Sequence, residues 1–176
     1  EQATEDKMYQ LNSPGILHIA THGYWSGAGE NATDGYRLFN AMVNSGLLLA
    51  GVVNYYSSNS YPDTYDGILT AYEAQNLNLD KTSLVVLSAC ETSLGYLDAG
   101  EGVYGLQRAF RAAGAGSVIT SLWKVDDNAT KDFMITFYGH FLKTRDKLTA
   151  YRLAQIAIKE KYKHPYFWGA FVMVGE

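Results

Sequence analysis

Four short apolar runs, Ile16–Ala20, Leu84–Ala89, Ser117–Leu122 and Ala170–Val174, limit what this chain can fold into. Each is four to eight residues long, rich in Val, Ile, Leu or Ala, and bounded by Gly, Pro, Ser or charge, which is the pattern of strands buried on both faces. Between them lie stretches whose apolar residues recur at three and four. Val103, Leu106, Ala109, Phe110 and Ala113 give one helix. Phe133, Ile135, Phe137, Phe141 and Leu142 give a second, more loosely. Leu148, Tyr151, Leu153, Ile156 and Ile158 give a third. A shorter helix is expected over Thr70 to Asn76, and Gly46–Val53 reads as a hairpin arm above the sheet. Strands alternating with helices predict an α/β sandwich with a mostly parallel central sheet flanked by helices.

Right-handed crossovers put the C-terminal ends of parallel strands on one sheet edge, where open α/β sheets bind ligands. The residues after each strand therefore carry the functional argument. Thr21-His22-Gly23 follows the first run, Cys90-Glu91-Thr92 the second, and Trp123-Lys124-Val125-Asp126-Asp127 the third. Neighbouring parallel strands bring such ends to within about 5–10 Å of each other. A thiol is mostly protonated at neutral pH, and its thiolate is the nucleophile. An imidazole beside it can take that proton and later return it to a leaving amine. His22 and Cys90 are thus candidate acid–base and nucleophile. A cysteine ending an apolar strand is equally the pattern of a plain core residue.

The other histidines point to structure. His18 lies within the first strand, on the face of His22 by period two, and reads as a satisfied core histidine. His140 falls on a helix and His164 precedes Pro165. His18 and His22 lack further ligands at usable spacing, so no metal site is expected.

Composition narrows the classes further. A chain of 176 residues, 47% hydrophobic and 18% charged, can bury a proper core. The net charge of −4 includes no clustered Lys and Arg beyond Lys159 to Lys163, which suits the C-terminal end of a helix, so direct nucleic-acid binding is not expected. A single cysteine excludes an internal disulfide and favours a reducing, cytoplasmic setting. No run reaches the roughly 18 apolar residues of a membrane span, and no signal-peptide pattern opens the chain.

Several strings resemble, in order, the segments of the CHAT peptidase family, a member of the caspase-like clan with caspases, metacaspases and separases. They are Leu17-His18-Ile19-Ala20-Thr21-His22-Gly23, Asp66-Gly67-Ile68-Leu69-Thr70-Ala71-Tyr72-Glu73 and Val86-Leu87-Ser88-Ala89-Cys90-Glu91-Thr92. Gly100-Glu101-Gly102, Ala109-Phe110-Arg111-Ala112-Ala113-Gly114-Ala115 and Ser121-Leu122-Trp123-Lys124-Val125-Asp126-Asp127 continue it. His164-Pro165-Tyr166-Phe167-Trp168-Gly169-Ala170-Phe171 closes it. The resemblance implies a caspase-like fold over residues 1–176, lacking the family's first strand and helix, within a longer protein. It implies a cysteine endopeptidase with His22 and Cys90 as dyad and the backbone N–H groups of Gly23 and Cys90 as oxyanion hole. No cofactor is implied. An N-terminal tetratricopeptide or similar repeat region, or a regulatory partner, is.

The same resemblance bears on specificity. The loop after the third strand corresponds to one that helps build the pocket for the substrate residue before the cut. Separases carry a similar Trp-x-Val segment followed by acidic residues and prefer arginine there. Ser88 stands where metacaspases carry an acidic pocket residue. Asp126 is the candidate pocket acid, for Arg first and Lys second, while Asp127, directly before a helix, suits an N-cap. The Gly- and Asn-rich segments Ser26–Gly35 and Ser93–Gly100 flank the site and suggest latency.

Three weaker patterns complete the reading. Gly100-Glu101-Gly102-Val103-Tyr104-Gly105 spells a dinucleotide fingerprint with Asp126 roughly 20 residues on, but Glu91 to Ala99 separate it from the strand it should follow. A loose Gly27-x-Gly29 has no helix after it. Tyr55 to Tyr65, with four tyrosines among Ser and Asn, is a solvent loop or an adaptable contact surface. The alternatives to a peptidase are a non-catalytic scaffold of the same fold and a nucleotide-binding α/β domain.

Overall fold

The structure, a computed structural model, describes residues 3–25, 41–53, 65–89 and 99–176. In chain order the elements are α1 (Glu5–Tyr9), β1 (Ile16–Trp25), α2 (Ala41–Asn44), β2 (Ser45–Leu48), β3 (Ile68–Thr70), α3 (Ala71–Ala74), β4 (Leu84–Ala89), α4 (Ala99–Ala112), β5 (Ser117–Ser121), α5 (Asp127–Thr144), α6 (Lys147–Tyr162), α7 (Pro165–Trp168) and β6 (Phe171–Gly175). Among the described residues the strands form one six-stranded sheet in the order β3-β2-β1-β4-β5-β6.

The centre of this sheet is parallel, β1 to β4 and β4 to β5. The flanks are antiparallel: β1 to β2, β2 to β3, and β5 to β6. The last apolar run is therefore a strand, as expected, but it runs against its neighbour, with Phe171 opposite Ser121 and Gly175 opposite Ser117.

Period-two alternation sorts the strand residues into two cores. Leu17, Ile19, Leu47, Leu69, Val85, Leu87 and Val118 face α1 to α4, where Leu106, Ala109, Phe110 and Ala113 project from α4. Ile16, Leu84, Val86 and Ile119 face α5 and α6. There Phe133, Phe137 and Phe141 recur every four residues along α5, and Ala150, Ala154 and Ile158 do so along α6. The Phe133 ring stacks on Phe171 with centroids 4.1 Å apart, which fastens α5 to the antiparallel edge. Small alanines on α6 let the two helices approach closely. Arg145 turns the chain between them at φ 60°.

Two local expectations change. The apolar pattern predicts a first strand over Ile16–Ala20, but β1 continues to Trp25, because β2 takes up the ladder where β4 ends: His22, Gly23, Tyr24 and Trp25 pair with Leu48, Leu47, Gly46 and Ser45. Those polar and aromatic residues carry no apolar run, so a strand held by edge pairing was invisible in the sequence. For the same reason Gly46–Val53 is not an arm above the sheet; its first part is β2, inside it. The short helix is α3, started by a capping box in which the Thr70 hydroxyl accepts from the Glu73 N–H at 3.2 Å and the Glu73 carboxylate accepts from the Thr70 N–H at 2.8 Å.

Candidate active site

Of the three parallel strands, β4 and β5 end side by side at one edge and β1 runs past them. In the β1–β4 ladder Ala20 pairs with Ser88 and Thr21 with Ala89. His22 is the next residue of β1, exposed, and paired on its other side with Leu48. The Thr21 hydroxyl donates to the Leu48 carbonyl, so the residue before His22 is tied to β2 by side chain as well as backbone. Gly23 is buried opposite Leu47. Ser88 is half-buried. Cys90, next after Ala89, lies outside the described residues, as do most of the Gly- and Asn-rich segments expected to flank the site and the tyrosine-rich stretch up to residue 64.

The third strand end is held firmly. The Leu122 N–H donates to the Ala170 carbonyl at 2.9 Å, and the Trp123 indole donates to the Tyr166 carbonyl at 2.9 Å. The Tyr166 hydroxyl returns a bond to the Lys124 carbonyl, and the Trp123 and Tyr166 rings stack at 6.2 Å. Val125 is buried in the α5 core. This clamp between the β5 end and α7 was not legible in the sequence, because its two aromatic residues lie 43 positions apart.

The two aspartates exchange the structural role expected of them. Asp126, not Asp127, is the N-cap of α5: its Oδ1 accepts from the Asn128 N–H at 3.0 Å and the Ala129 N–H at 3.1 Å. Asp127 is the first helical residue, exposed, with its charge in the first turn. The residue before the helix, rather than the first within it, has the extended backbone that lets a short carboxylate reach the orphan N–H groups.

His18 is satisfied, but not by the core. It is exposed on the sheet face beyond α5, its Nδ1 within 3.0 Å of the Tyr138 hydroxyl and its ring stacked on Tyr138 at 5.7 Å. Partial burial lowers its pKa and disfavours the imidazolium. His164 caps α7, its Nδ1 accepting from the Tyr166 N–H at 3.2 Å. Among the described residues no three His, Cys, Asp or Glu gather as metal ligands, and no helix is long and apolar enough to cross a membrane.

The dinucleotide reading fails on local structure. Gly100, Gly102 and Gly105 lie inside α4, which begins at Ala99, so they cannot form a phosphate-wrapping turn ahead of a helix.

A six-stranded sheet with a parallel centre, helices on both faces, and a histidine of β1 next to the level where β4 ends define a caspase-like α/β domain. The CHAT domain family model matches residues 1–176, and the chain belongs to that family. It is 34% identical over 121 residues, 68% of its length, to human tetratricopeptide repeat protein 28, and 28% identical over 189 aligned positions, 98% of its length, to the mouse protein of that name. The chain spans only 5% and 8% of those two relatives, which are named for their repeats.

Proposed function

We propose that the chain is a cysteine endopeptidase domain in which Cys90 is the nucleophile and His22 the general acid–base. The observation that supports this best is the register of Thr21 with Ala89. His22 and Cys90 each follow one member of that pair, and one peptide unit spans only about 3.8 Å between Cα atoms. In this reading the His22 imidazole takes the Cys90 Sγ proton, and the thiolate attacks the scissile carbonyl carbon. The resulting oxyanion accepts hydrogen bonds from the N–H groups of Gly23 and Cys90. His22 then gives its proton to the leaving amine as the C–N bond breaks, and water hydrolyses the thioester.

Asp126, Asp127 and Ser88 stand at the neighbouring strand ends and form the acidic and polar side of the pocket for the residue before the cut. Arg is favoured, then Lys, because a guanidinium meets a carboxylate with two charge-assisted hydrogen bonds. The repeats for which both relatives are named support a preceding repeat region that recruits substrate and relieves latency. The lone thiol suits a cytoplasmic site of action.

A peptide library varied at the residue before the scissile bond, run on the intact protein beside its Cys90→Ala variant, tests the reading. Cleavage that vanishes in the variant is expected. No cleavage by either, together with biological function retained by Cys90→Ala, would mark the domain as a scaffold.

A further inference from the structure

At the sheet edge opposite His22, a cavity of about 440 Å³ opens where β1 and β4 begin and α5 ends. Gly15, Ile16, Ser83, Phe141, Arg145 and Lys147 line it. Its wall is apolar: Phe141 is buried, Ile16 is half-buried, and a Cβ placed on Gly15 would meet nothing within 4 Å.

Its charges are of one sign. Arg145 forms no ion pair among the described residues. Lys147 donates to the Ser83 carbonyl at 3.0 Å, a bond that uses one of its three N–H groups and leaves its charge unneutralised. Burial disfavours the Lys147 ammonium, and so does the charge of Arg111 behind it, which is bound to the carbonyls of Ala115 and Gly116. The acids nearby are Glu176, whose charge favours the ammonium, and Asp146, whose Oδ1 accepts the Thr149 N–H at 3.0 Å as the cap of α6. In a chain of net charge −4, an apolar recess lined by two cations and no acid is a local reversal.

We infer that this cavity binds an apolar carboxylate, with the carboxylate at Arg145 and Lys147 and the hydrocarbon body against Ile16 and Phe141. An anion there adds counter-charge beside Arg145 and Lys147, and the body removes apolar wall from water. A free aromatic or branched-chain acid and the C-terminal apolar residue of a peptide share this chemistry. The site is independent of the dyad, from which it is separated by the length of the strands.

The test is ligand-observed saturation-transfer NMR on the intact protein, using phenylacetate, phenylacetamide, and the peptide N-acetyl-Ala-Phe as acid and as amide. Both acids are expected to bind, the neutral amides at least tenfold more weakly. Arg145→Gln, which spares the Lys147–Ser83 bond, is expected to weaken the acids at least fivefold without changing the unfolding midpoint. A tighter free acid would identify a metabolite site, and a tighter peptide acid a chain-terminus site; either bears the inference out. Amides binding as well as acids, acids indifferent to Arg145→Gln, or no binding by any probe would overturn it.

Discussion

Thr21 and Ala89 face each other across the β1–β4 ladder at the point where that ladder ends. Past that point the described partner strand of β1 is β2, with Leu48 opposite His22. The candidate base is therefore fixed from one side, while its other side adjoins the end of β4. Its pairing with β2 and its exposure give His22 both rigidity and access, which a general base needs.

The dyad makes the plainest prediction. Cys90→Ala and His22→Ala should each lower kcat/KM on a cleavable peptide by about 10³-fold or more, and the double variant by no more than either alone, because nucleophile and base act as a unit. Circular dichroism should be unchanged. Residual activity above a few per cent in either variant would remove that residue from the dyad.

Asp126 has a structural task whatever else it does, so the test must separate cap from charge. Asp126→Ala should cost about 1 kcal/mol of stability through the lost bonds to Asn128 and Ala129. Asp126→Asn keeps an oxygen at the cap and should cost much less. If the carboxylate also recognises substrate, both variants should lose the preference for Arg over a neutral isostere, by about tenfold or more. An Asn variant with wild-type stability and wild-type preference would leave Asp126 a cap alone.

Glu5 is 3% exposed and accepts the Gly67 N–H at 3.1 Å. Burial first, then the charges of Glu73 and Asp66, push its pKa from 4.5 to about 7, against the opposing effect of the Gly67 bond. The native state therefore holds a proton that the unfolded chain releases between pH 4.5 and 7. The sign follows: the Glu5 contribution to stability is fully present below pH 4.5 and is lost as pH rises through about 7. Urea midpoints should fall across that window, by about 1–3 kcal/mol in stability. Glu5→Gln should flatten the profile. A wild-type profile already flat from pH 4.5 to 7, or one unchanged by Glu5→Gln, would show that Glu5 is not the group responsible.

Most of this architecture was legible because burial on both faces of a strand leaves an apolar run, and burial on one face of a helix leaves a period near 3.6. Leu84–Ala89 and the Phe133, Phe137, Phe141 stripe are of that kind. The polar end of β1 was not legible, because residues 22–25 are strand through pairing with β2 and not through their own pattern. The direction of β6 was equally hidden, since antiparallel and parallel edge strands bury the same residue types. At the site, His22 was marked by its place after an apolar run. Glu5 was missed altogether: a glutamate in a first helical turn reads as an exposed dipole partner, and only its contact with Gly67, 62 positions on, reveals its burial.

Gly67 is where the N-terminal segment, β3 and the partner strand of His22 meet. Its N–H binds Glu5, its carbonyl accepts the Leu49 N–H at 2.7 Å, and the next residue, Ala50, donates to the Ala3 carbonyl at 2.9 Å. Its φ of 81° is left-handed, and a Cβ there would lie 2.5 Å from the Val52 nitrogen and 2.8 Å from its Cα. Backbone atoms cannot yield as a flexible side chain does, so Gly67→Ala combines a strained conformation with a clash. It should cost about 2 kcal/mol or more of stability. The loss should be local first: hydrogen exchange should quicken at Leu49 and Ala50 before it does at Val85 or Val86 in the central strand. Because Leu48 pairs with His22, kcat/KM should fall several-fold under conditions where the variant is still fully folded. A variant as stable as wild type, with unchanged exchange at Leu49 and Ala50, would contradict this account of Gly67.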